Sequence, residues 1–266
     1  MTTSPILEVQ QLSIQLKSKT LIHPCNFTLH KGEILGLVGE SGSGKTLTSM
    51  AIFQLLQKEM LLSGSIRLGD VELTQASDKQ MRQIRGRDMA FIMQNPMNAF
   101  SPVYTIGNQF IELIRTHLQC SKKEAIERAT NALADVHLQN PNHLLSLYPF
   151  QLSGGMLQRV MIAFASCLQP KVIIADEPTT ALDVYNQLQV LKHLEHIRAT
   201  CDTAILLISH DLSVIAEMAD RVIVMEKGHI VETATVLELF DTPKHEYTKH
   251  LLNSRLTFQH VKEEAE

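Results

Sequence analysis

The stretch that decides the fold is GESGSGKT, which occupies Gly39–Thr46. It matches G-x-x-x-x-G-K-[ST], the spacing of a phosphate-binding loop. The apolar run Ile34–Val38 precedes it and predicts a short buried strand, while Leu47–Leu56 follows it and predicts a helix. Glycines let the loop backbone curl around an anion, and the helix N-terminus adds partial positive charge at the same place. Strand, loop and helix in this order are the context that the motif requires.

The last two residues of the loop carry the side chains with the clearest roles. We expect Lys45 to reach the β- and γ-phosphates of a nucleotide and the Thr46 hydroxyl to bind Mg²⁺. The alternative is a Gly/Ser loop with a chance lysine. The agreement of spacing and context favours the phosphate loop.

Composition limits the classes of protein that need consideration. The chain has 266 residues, 44% of them hydrophobic, which predicts one large domain or one domain with a subdomain and a tail. The net charge of −4 gives no basic field, so we expect no nucleic-acid partner. The sequence shows no apolar run that would span a membrane and no signal-peptide pattern at its start. The four cysteines are scattered and are predicted to be free thiols in a reducing cytosol.

Strand and helix patterns alternate along the chain. Ile6–Leu16 and Leu21–Leu29 alternate apolar with polar residues and predict an antiparallel layer. Further buried strands are predicted at Met89–Met93, Lys171–Glu177 and Thr203–Ile208. Strands alternating with helices predict an α/β fold with a largely parallel sheet. Residues 95–169 are rich in helix patterns and predict a subdomain inserted in that sheet.

Polar side chains end three of the predicted buried strands. Asp176 is placed to bind Mg²⁺, and Glu177 after it is free to polarise an attacking water. Gln94 could complete the metal shell and sense the γ-phosphate, and His210 could hold the γ-phosphate and the water. The alternatives are an exposed acidic turn, a surface glutamine and a structural histidine.

A second anion site is predicted at Ser153-Gly154-Gly155, where a helix begins. One chain does not need two cradles for one γ-phosphate. We therefore expect a dimer in which ATP lies between the phosphate loop of one chain and this segment of the other.

The order of these motifs resembles the nucleotide-binding subunit of ABC transporters, over about residues 5–255. The resemblance implies an α/β P-loop NTPase fold with a RecA-like parallel-sheet core, an antiparallel β layer and an inserted helical subdomain. In that family the Ser-Gly-Gly segment is the signature, and Ala181-Leu182-Asp183 is the D-loop that crosses the dimer. Two departures are Met156, where a glutamine is usual, and the lack of an adenine-stacking aromatic residue before the loop.

The resemblance assigns a role to each candidate residue. It implies Glu177 as general base and His210 as switch histidine, with ATP and Mg²⁺ as cofactors and Thr46, Gln94 and Asp176 as Mg²⁺ ligands. The residues expected to bind the nucleotide are Gly39, Glu40, Ser41, Gly42, Ser43, Gly44, Lys45, Thr46, Gln94, Ser153, Gly154 and Gly155. The implied domains are an ATP-binding domain at 6–250, with its helical subdomain at about 95–169, and a C-terminal extension and tail at 235–266.

Two further stretches resemble the peptide/nickel importer group. These are the loop Gln94–Pro102 and the segment Pro243–Leu252, which is similar to a C-terminal extension of that group. Tyr148–Arg159, with Met156, resembles the nickel-import subunit in particular. The resemblance therefore implies an ATP-hydrolysing subunit of a nickel or metal-chelate importer. A peptide importer of the same group is the first alternative, and a soluble ABC ATPase, such as one for iron–sulfur cluster assembly, is the second.

The same resemblance implies the partners and the location. It implies a second ABC ATPase subunit, identical or different, two integral membrane permeases and an extracytoplasmic substrate-binding protein. The chain is expected at the cytoplasmic face of the plasma (inner) membrane as a peripheral subunit, with the membrane-spanning segments in separate chains.

Histidine pairs offer a separate hypothesis. His193 and His196 lie three residues apart on a predicted helix and could bind a transition metal. A solvated helix face is the alternative that we favour, and the same holds for His245 and His250 near the C-terminus.

Overall fold

The structure is a computed structural model that describes residues 4–180 and 182–253. Ala181 of the predicted D-loop and residues 254–266 of the predicted tail lie outside the described residues. The strands are β1 (Leu7–Leu16), β2 (Lys19–Leu29), β3 (Ile34–Val38), β4 (Met60–Leu68), β5 (Val71–Glu72), β6 (Met89–Ile92), β7 (Val172–Asp176), β8 (Ala204–Ile208), β9 (Arg221–Glu226) and β10 (His229–Thr235).

The helices follow the same chain order. They are α1 (Lys45–Ile52), α2 (Asp78–Ile84), α3 (Ile106–His117), α4 (Lys122–Asp135), α5 (Pro141–Leu144), α6 (Gly154–Ser166), α7 (Val184–Cys201), α8 (Leu212–Met218) and α9 (Val236–Asp241). Residues 246–253 are also helical. Among the described helices, none combines the length and the apolar character that a membrane crossing needs.

The chain divides into two compact units. Within the described residues the first unit contains 4–29, 33–75 and 206–253, and the second contains 30–32, 76–180 and 182–205. Strand β8 crosses the division, because Leu206 is the first of its residues to belong to the first unit.

The first unit carries the predicted antiparallel layer. Its four-stranded sheet has the order β2-β1-β4-β5, and each neighbouring pair is antiparallel. The prediction of this layer is confirmed. Every second or third residue of β1 is buried, among them Leu7, Leu12 and Ile14, because one face of the layer packs into the core.

The first unit also contains β3, which leads into the phosphate loop. All five residues of β3 are buried, and the strand runs parallel to β9, with Leu35 opposite Arg221 and Val38 opposite Val224. A strand buried on both faces is expected to read as a continuous apolar run. That is what Ile34–Val38 shows, and its predicted bounds are confirmed.

The second unit combines the parallel pair β6 and β7 with helices. Met89 lies opposite Val172 and Ile92 opposite Ala175, so both strands end at the same edge of the pair. Helices α3 to α6 occupy the helix-rich region, where Phe110 and Phe164 pack edge to face with ring centroids 5.1 Å apart. Helix α4 begins with a capping box, in which Ser121 and Glu124 bond reciprocally to each other's backbone N–H groups.

Several predicted boundaries differ from the structure by one to four residues, and two of these differences lie beside candidate site residues. Helix α1 begins at Lys45 rather than at Leu47, because Gly44 is the last residue with left-handed backbone and helical backbone follows at once. Strand β7 ends at Asp176, and Glu177 takes a left-handed conformation with φ 50° instead of extending the strand. Both differences concern the turns where candidate site residues lie.

Candidate functional site

The candidate residues fall into two groups, one in each unit, and the phosphate loop belongs to the first. At two positions of the loop the neighbouring atoms are so close that only glycine, which has no Cβ atom, fits. A Cβ atom on Gly39 would lie 2.2 Å from the carbonyl oxygen of Met225, and one on Gly44 would lie 2.3 Å from Cδ1 of Ile22. Their φ angles of 150° and 110° also favour glycine. The loop therefore passes close to β2 and β9, where no side chain would fit.

Lys45 is held inside the loop that it ends. Its side chain is 7% exposed, and Nζ donates to the carbonyl oxygens of Gly39 at 2.8 Å and Glu40 at 2.9 Å. The loop closes on itself through the Ser43 N–H, which donates to the Glu40 carbonyl at 3.1 Å. A buried ammonium group in a loop of tight turns is the arrangement that an anionic phosphate would complement.

A buried hydroxyl in the same loop supports this fit. Ser43 is 4% exposed, and its Oγ has no hydrogen-bond partner among the described residues. A buried polar atom without a partner is costly, so it is expected to have a role that a bound group fulfils. Thr46 is an exposed residue on the first turn of α1.

His210 also belongs to the first unit. It follows β8 and is exposed, next to Asp211, whose Oδ1 accepts the Ser213 N–H at 3.0 Å and so caps α8. The cap fixes the backbone just after the histidine.

In the second unit Gln94 and Glu177 meet. Both follow the parallel strands β6 and β7 at the same edge, and Gln94 Nε2 donates to Glu177 Oε2 at 3.1 Å. The Thr180 hydroxyl donates to the same carboxylate oxygen at 2.8 Å. The structure thus brings together a predicted metal-shell amide and a predicted base, a contact that the sequence did not predict.

Asp176 occupies a different environment from its neighbour. It is the last residue of β7 and is 3% exposed, whereas Glu177 lies outside the strand. Carboxylate, hydroxyl and amide oxygens are the donors that Mg²⁺ prefers. The chemistry of Thr46, Gln94 and Asp176 therefore suits Mg²⁺.

The signature segment starts α6. Ser153 is the N-cap, and its Oγ accepts the N–H of Met156 at 3.3 Å. Gly154 and Gly155 form the first turn of the helix, so their backbone N–H groups belong to its positive end.

Gln158 was not singled out by sequence analysis, although it connects α6 to the chain that follows Glu177. It is 2% exposed, and its Nε2 donates to the carbonyl oxygen of Pro178 at 2.7 Å. The available signal was a polar residue among the apolar ones of this helix, since buried amides need partners.

Tyr247 was also not assigned a role. Its hydroxyl oxygen accepts the backbone N–H of Glu40, in the phosphate loop, at 2.9 Å. The two residues are 207 positions apart, so no local pattern could indicate the contact.

The histidine pair on α7 does not form a solvated face. His193 is 8% exposed, so the favoured alternative is wrong for this residue, while His196 is exposed. Burial lowers the pKa of His193 to about 4, which keeps its ring neutral. Both histidines line a cavity of about 380 Å³ with His137, Asp135 and Lys192. Within the part of the chain that the structure describes, no three His, Cys, Asp or Glu side chains are placed to hold a metal ion.

The cysteines are free thiols, as predicted. Burial raises the pKa of Cys25 to about 11 and that of Cys167 to about 12. These thiols therefore stay protonated at neutral pH and are poor nucleophiles.

Comparison with protein families identifies the chain. A model of the ABC transporter family matches residues 22–180, from β2 through the phosphate loop to Thr180. This chain belongs to the ABC transporter family. The region matched includes the loop, Gln94, the Ser153 segment and the acidic pair, and ends before His210.

Related proteins have names that refer to oligopeptide transport and to glutathione import. The chain is 46% identical to the oligopeptide transport ATP-binding protein AppD of Bacillus subtilis (strain 168), covering 94% of this chain and 78% of AppD. It is 44% identical to the glutathione import ATP-binding protein GsiA of Escherichia coli O157:H7, covering 93% of this chain. The chain spans only 41% of the length of GsiA.

Solved structures share the fold. One is a dimeric structure of a post-hydrolysis state of the ATP-binding cassette MJ0796 bound to ADP and Pi. It matches with a TM-score of 0.77 at 22% identity, covering 86% of this chain and 98% of MJ0796. The α/β ABC ATPase fold, with a parallel core and an antiparallel layer, is thereby confirmed.

Proposed function

We propose that this chain is the ATP-binding and ATP-hydrolysing subunit of an ABC importer of peptides. The observation that carries the proposal is the phosphate loop, with Lys45 buried and turned onto the Gly39 and Glu40 carbonyls. Its ammonium group would exchange these carbonyls for the β- and γ-phosphates of ATP, a stronger, charge-assisted interaction. The Ser43 hydroxyl, buried without a partner among the described residues, would gain one from the same ligand.

Glu177 is proposed as the general base. Its carboxylate is oriented by the Gln94 amide and the Thr180 hydroxyl, and both donate to Oε2. The carboxylate held in this way would accept a proton from the attacking water. His210 is proposed to hold the γ-phosphate during the same step.

Thr46, Gln94 and Asp176 are proposed as Mg²⁺ ligands. A bound Mg²⁺ would neutralise the charge of the phosphate oxygens. Asp176 is nearly fully buried, and a buried carboxylate is stabilised when a cation pairs with it.

The signature segment is proposed to act on ATP held by a second ABC ATPase subunit. A Cβ atom on Gly154 would meet nothing within 4 Å among the described residues, so packing within the chain does not require a glycine there. A phosphate approaching the helix N-terminus from a partner would require one. The segment Leu182–Asp183 is proposed to cross the same dimer interface, as the resemblance implies.

The remaining partners follow from the importer proposal. We place the chain at the cytoplasmic face of the plasma (inner) membrane, bound to two integral membrane permeases that receive substrate from an extracytoplasmic binding protein. The predicted domain division, with an ATP-binding domain at 6–250, its helical subdomain at 95–169 and an extension from 235, is part of this proposal. No nucleic-acid partner is proposed, because the net charge is −4.

Peptides are proposed as the substrate in preference to nickel. The names of AppD and GsiA refer to oligopeptide transport and glutathione import. Neither name refers to nickel, so the nickel hypothesis rests on the resemblance of Tyr148–Arg159 alone. No residue of this chain is proposed to contact the cargo, so the names of the relatives are the support for peptides over nickel.

Uptake measurements test the proposal. Cells that lack this chain are compared with cells that carry it or its Lys45→Ala variant, for uptake of a labelled dipeptide, glutathione and ⁶³Ni. We expect loss of peptide or glutathione uptake, restored by the unaltered chain and not by Lys45→Ala. Loss of ⁶³Ni uptake alone would mean that the transported substrate is nickel and not a peptide. If no uptake changed, the soluble-ATPase alternative would take the place of the importer.

A further inference from the structure

The backbone of Glu40 makes several hydrogen bonds at the phosphate loop. Its carbonyl oxygen accepts Lys45 Nζ at 2.9 Å and the Ser43 N–H at 3.1 Å. Its N–H points away from the loop and donates to the Tyr247 hydroxyl oxygen at 2.9 Å. The Glu40 N–H shares one planar peptide unit with the Gly39 carbonyl, whose oxygen accepts Lys45 Nζ at 2.8 Å. The orientation of this Gly39–Glu40 peptide unit therefore helps to determine where Lys45 lies.

Tyr247 is held in place by an anchor on β10. Glu232 is 8% exposed, and its two carboxylate oxygens accept the backbone N–H groups of Lys244 at 2.9 Å and His245 at 3.0 Å. His245 Nδ1 then accepts the Tyr247 N–H at 3.2 Å, just where the helical residues 246–253 begin. Thr248, the next residue, is fully buried. The C-terminal segment is thus fixed at its start, and the tyrosine ring is fixed with it.

The hydroxyl of Tyr247 is a neutral group. Partial burial and the negative charges of Glu40 and Glu226 raise its pKa, against the opposing effects of the Glu40 N–H and Lys227. The hydroxyl is therefore protonated at every physiological pH. Its oxygen accepts the Glu40 N–H without introducing a negative charge beside a site for phosphates.

We propose that Tyr247 is a positioning residue for nucleotide binding: its hydroxyl holds the Gly39–Glu40 peptide unit, and through the Gly39 carbonyl Lys45, in the conformation that receives the phosphates. The inference rests on the proposed function, because it assumes that the loop binds ATP. It also makes the C-terminal segment 242–253 a participant in nucleotide binding. Since coupling between two sites is reciprocal, bound nucleotide would in turn stabilise that segment.

The test compares the full-length chain with its Tyr247→Phe variant, which keeps the ring and removes only the hydroxyl. We expect the Kd for ATP to rise about three- to tenfold, the effect of one lost hydrogen bond. The kcat should stay within about twofold, because Glu177 and His210 are untouched. Hydrogen exchange should become faster at the Glu40 amide in particular. A general loss of packing around residue 247 would instead speed up exchange at other amides as well.

Two further variants make the comparison sharper. Lys249→Met is the matched control, since it removes the neighbouring Lys249–Glu246 ion pair of the same segment and leaves the Tyr247 hydroxyl in place. It should bind ATP as the unaltered chain does. Glu232→Gln loosens the anchor and should raise the Kd in the same direction as Tyr247→Phe. In the double variant, the fold increase in the Kd for ATP should be smaller than the product of the two single-variant increases, because both substitutions act through one contact.

The outcomes separate this inference from the proposed function. Equal ATP affinity of Tyr247→Phe and the unaltered chain would overturn the positioning role, and unchanged exchange of the Glu40 amide would overturn the contact itself. An equal loss of ATP affinity in Lys249→Met would mean that the effect comes from altered packing of the segment and not from the Tyr247 hydroxyl, and it would overturn the inference. If the unaltered chain bound no ATP, both the proposed function and the inference that rests on it would be overturned.

Discussion

Glu177 combines an unusual backbone with two side-chain hydrogen bonds. Its φ of 50° lies in the left-handed region, which costs free energy for any residue with a Cβ atom and is concentrated at functional sites. The Gln94 amide and the Thr180 hydroxyl hold its carboxylate. Sequence analysis identified the residue from its place after a buried strand, but the turn that separates it from Asp176 appears only in the structure.

Replacing Glu177 by Gln tests the base at the scale of one residue. We expect ATP hydrolysis to fall by about 10²–10⁴-fold while ATP still binds, because the amide cannot accept the proton of the attacking water. Phosphate release and nucleotide binding are measured on the same preparation. Glu195→Gln, on the exposed part of α7, is the control and should hydrolyse normally. Normal turnover by Glu177→Gln would remove this residue as the base.

The buried His193 should make the free energy of unfolding depend on pH. Burial lowers its pKa to about 4 from 6.5, so between these values the unfolded chain binds a proton that the folded chain does not. Stability that is present above pH 6.5 is therefore lost as the pH falls towards 4. The loss attributable to this group is about 3 kcal/mol at pH 4.

The His193→Gln variant measures that contribution. Its unfolding free energy should vary less between pH 7 and pH 4 than that of the unaltered chain, because the titrating group is gone. His143→Gln, at an exposed position, is the control and should keep the full pH dependence. Identical pH profiles for His193→Gln and the unaltered chain would contradict a buried neutral histidine.

At the scale of elements, the helix starts connect structure with the candidate site. Both α4 and α6 begin at a serine N-cap, Ser121 and Ser153, whose oxygen accepts a backbone N–H of the first turn. The two caps are alike in chemistry, but only the second stands at a predicted anion site. A cap that only stabilises a helix can thus be compared with one that is also proposed to contact a phosphate.

Ser153→Ala and Ser121→Ala make this comparison. Each should destabilise the chain by about 1 kcal/mol, the cost of a lost N-cap. Only Ser153→Ala should also lower ATP hydrolysis, measured as phosphate release at saturating ATP and with the partner ATPase present. Equal hydrolysis by the two variants would contradict a role of Ser153 beyond the cap.

At the scale of the whole molecule, the prediction concerns assembly. With Mg²⁺ and ATP, the Glu177→Gln chain should form a head-to-tail dimer, because uncleaved ATP keeps both cradles filled. The mass in solution, measured by light scattering, should rise to twice the 29.8 kDa of one chain. The Glu177→Gln/Lys45→Ala double variant should stay monomeric. A monomer with ATP bound would contradict a dimer of identical chains and leave a different ATPase as the partner.

Features that depend on neighbouring residues could be predicted from the sequence, whereas features that depend on distant residues could not. The phosphate loop was identified by eight consecutive residues, and β3 by five apolar ones, because strand burial and loop curvature follow from adjacent side chains. The polar residues that end the strands were found in the same way. The α7 histidine pair was misjudged, since His193 is buried in the structure beside a cavity that Asp135 and His137 also line, and both are more than 50 positions earlier in the chain.

The sequence by itself determined the family, the order of strands and helices and the identity of the candidate residues, because each is written in short-range patterns of apolar, glycine and charged residues. Only the tertiary structure decided which of these residues meet. The contacts of Gln94 with Glu177, Gln158 with Pro178 and Glu40 with Tyr247 join positions 83, 20 and 207 residues apart. A hydrogen bond depends on distance and direction in space, and those are set by packing rather than by neighbours in the chain.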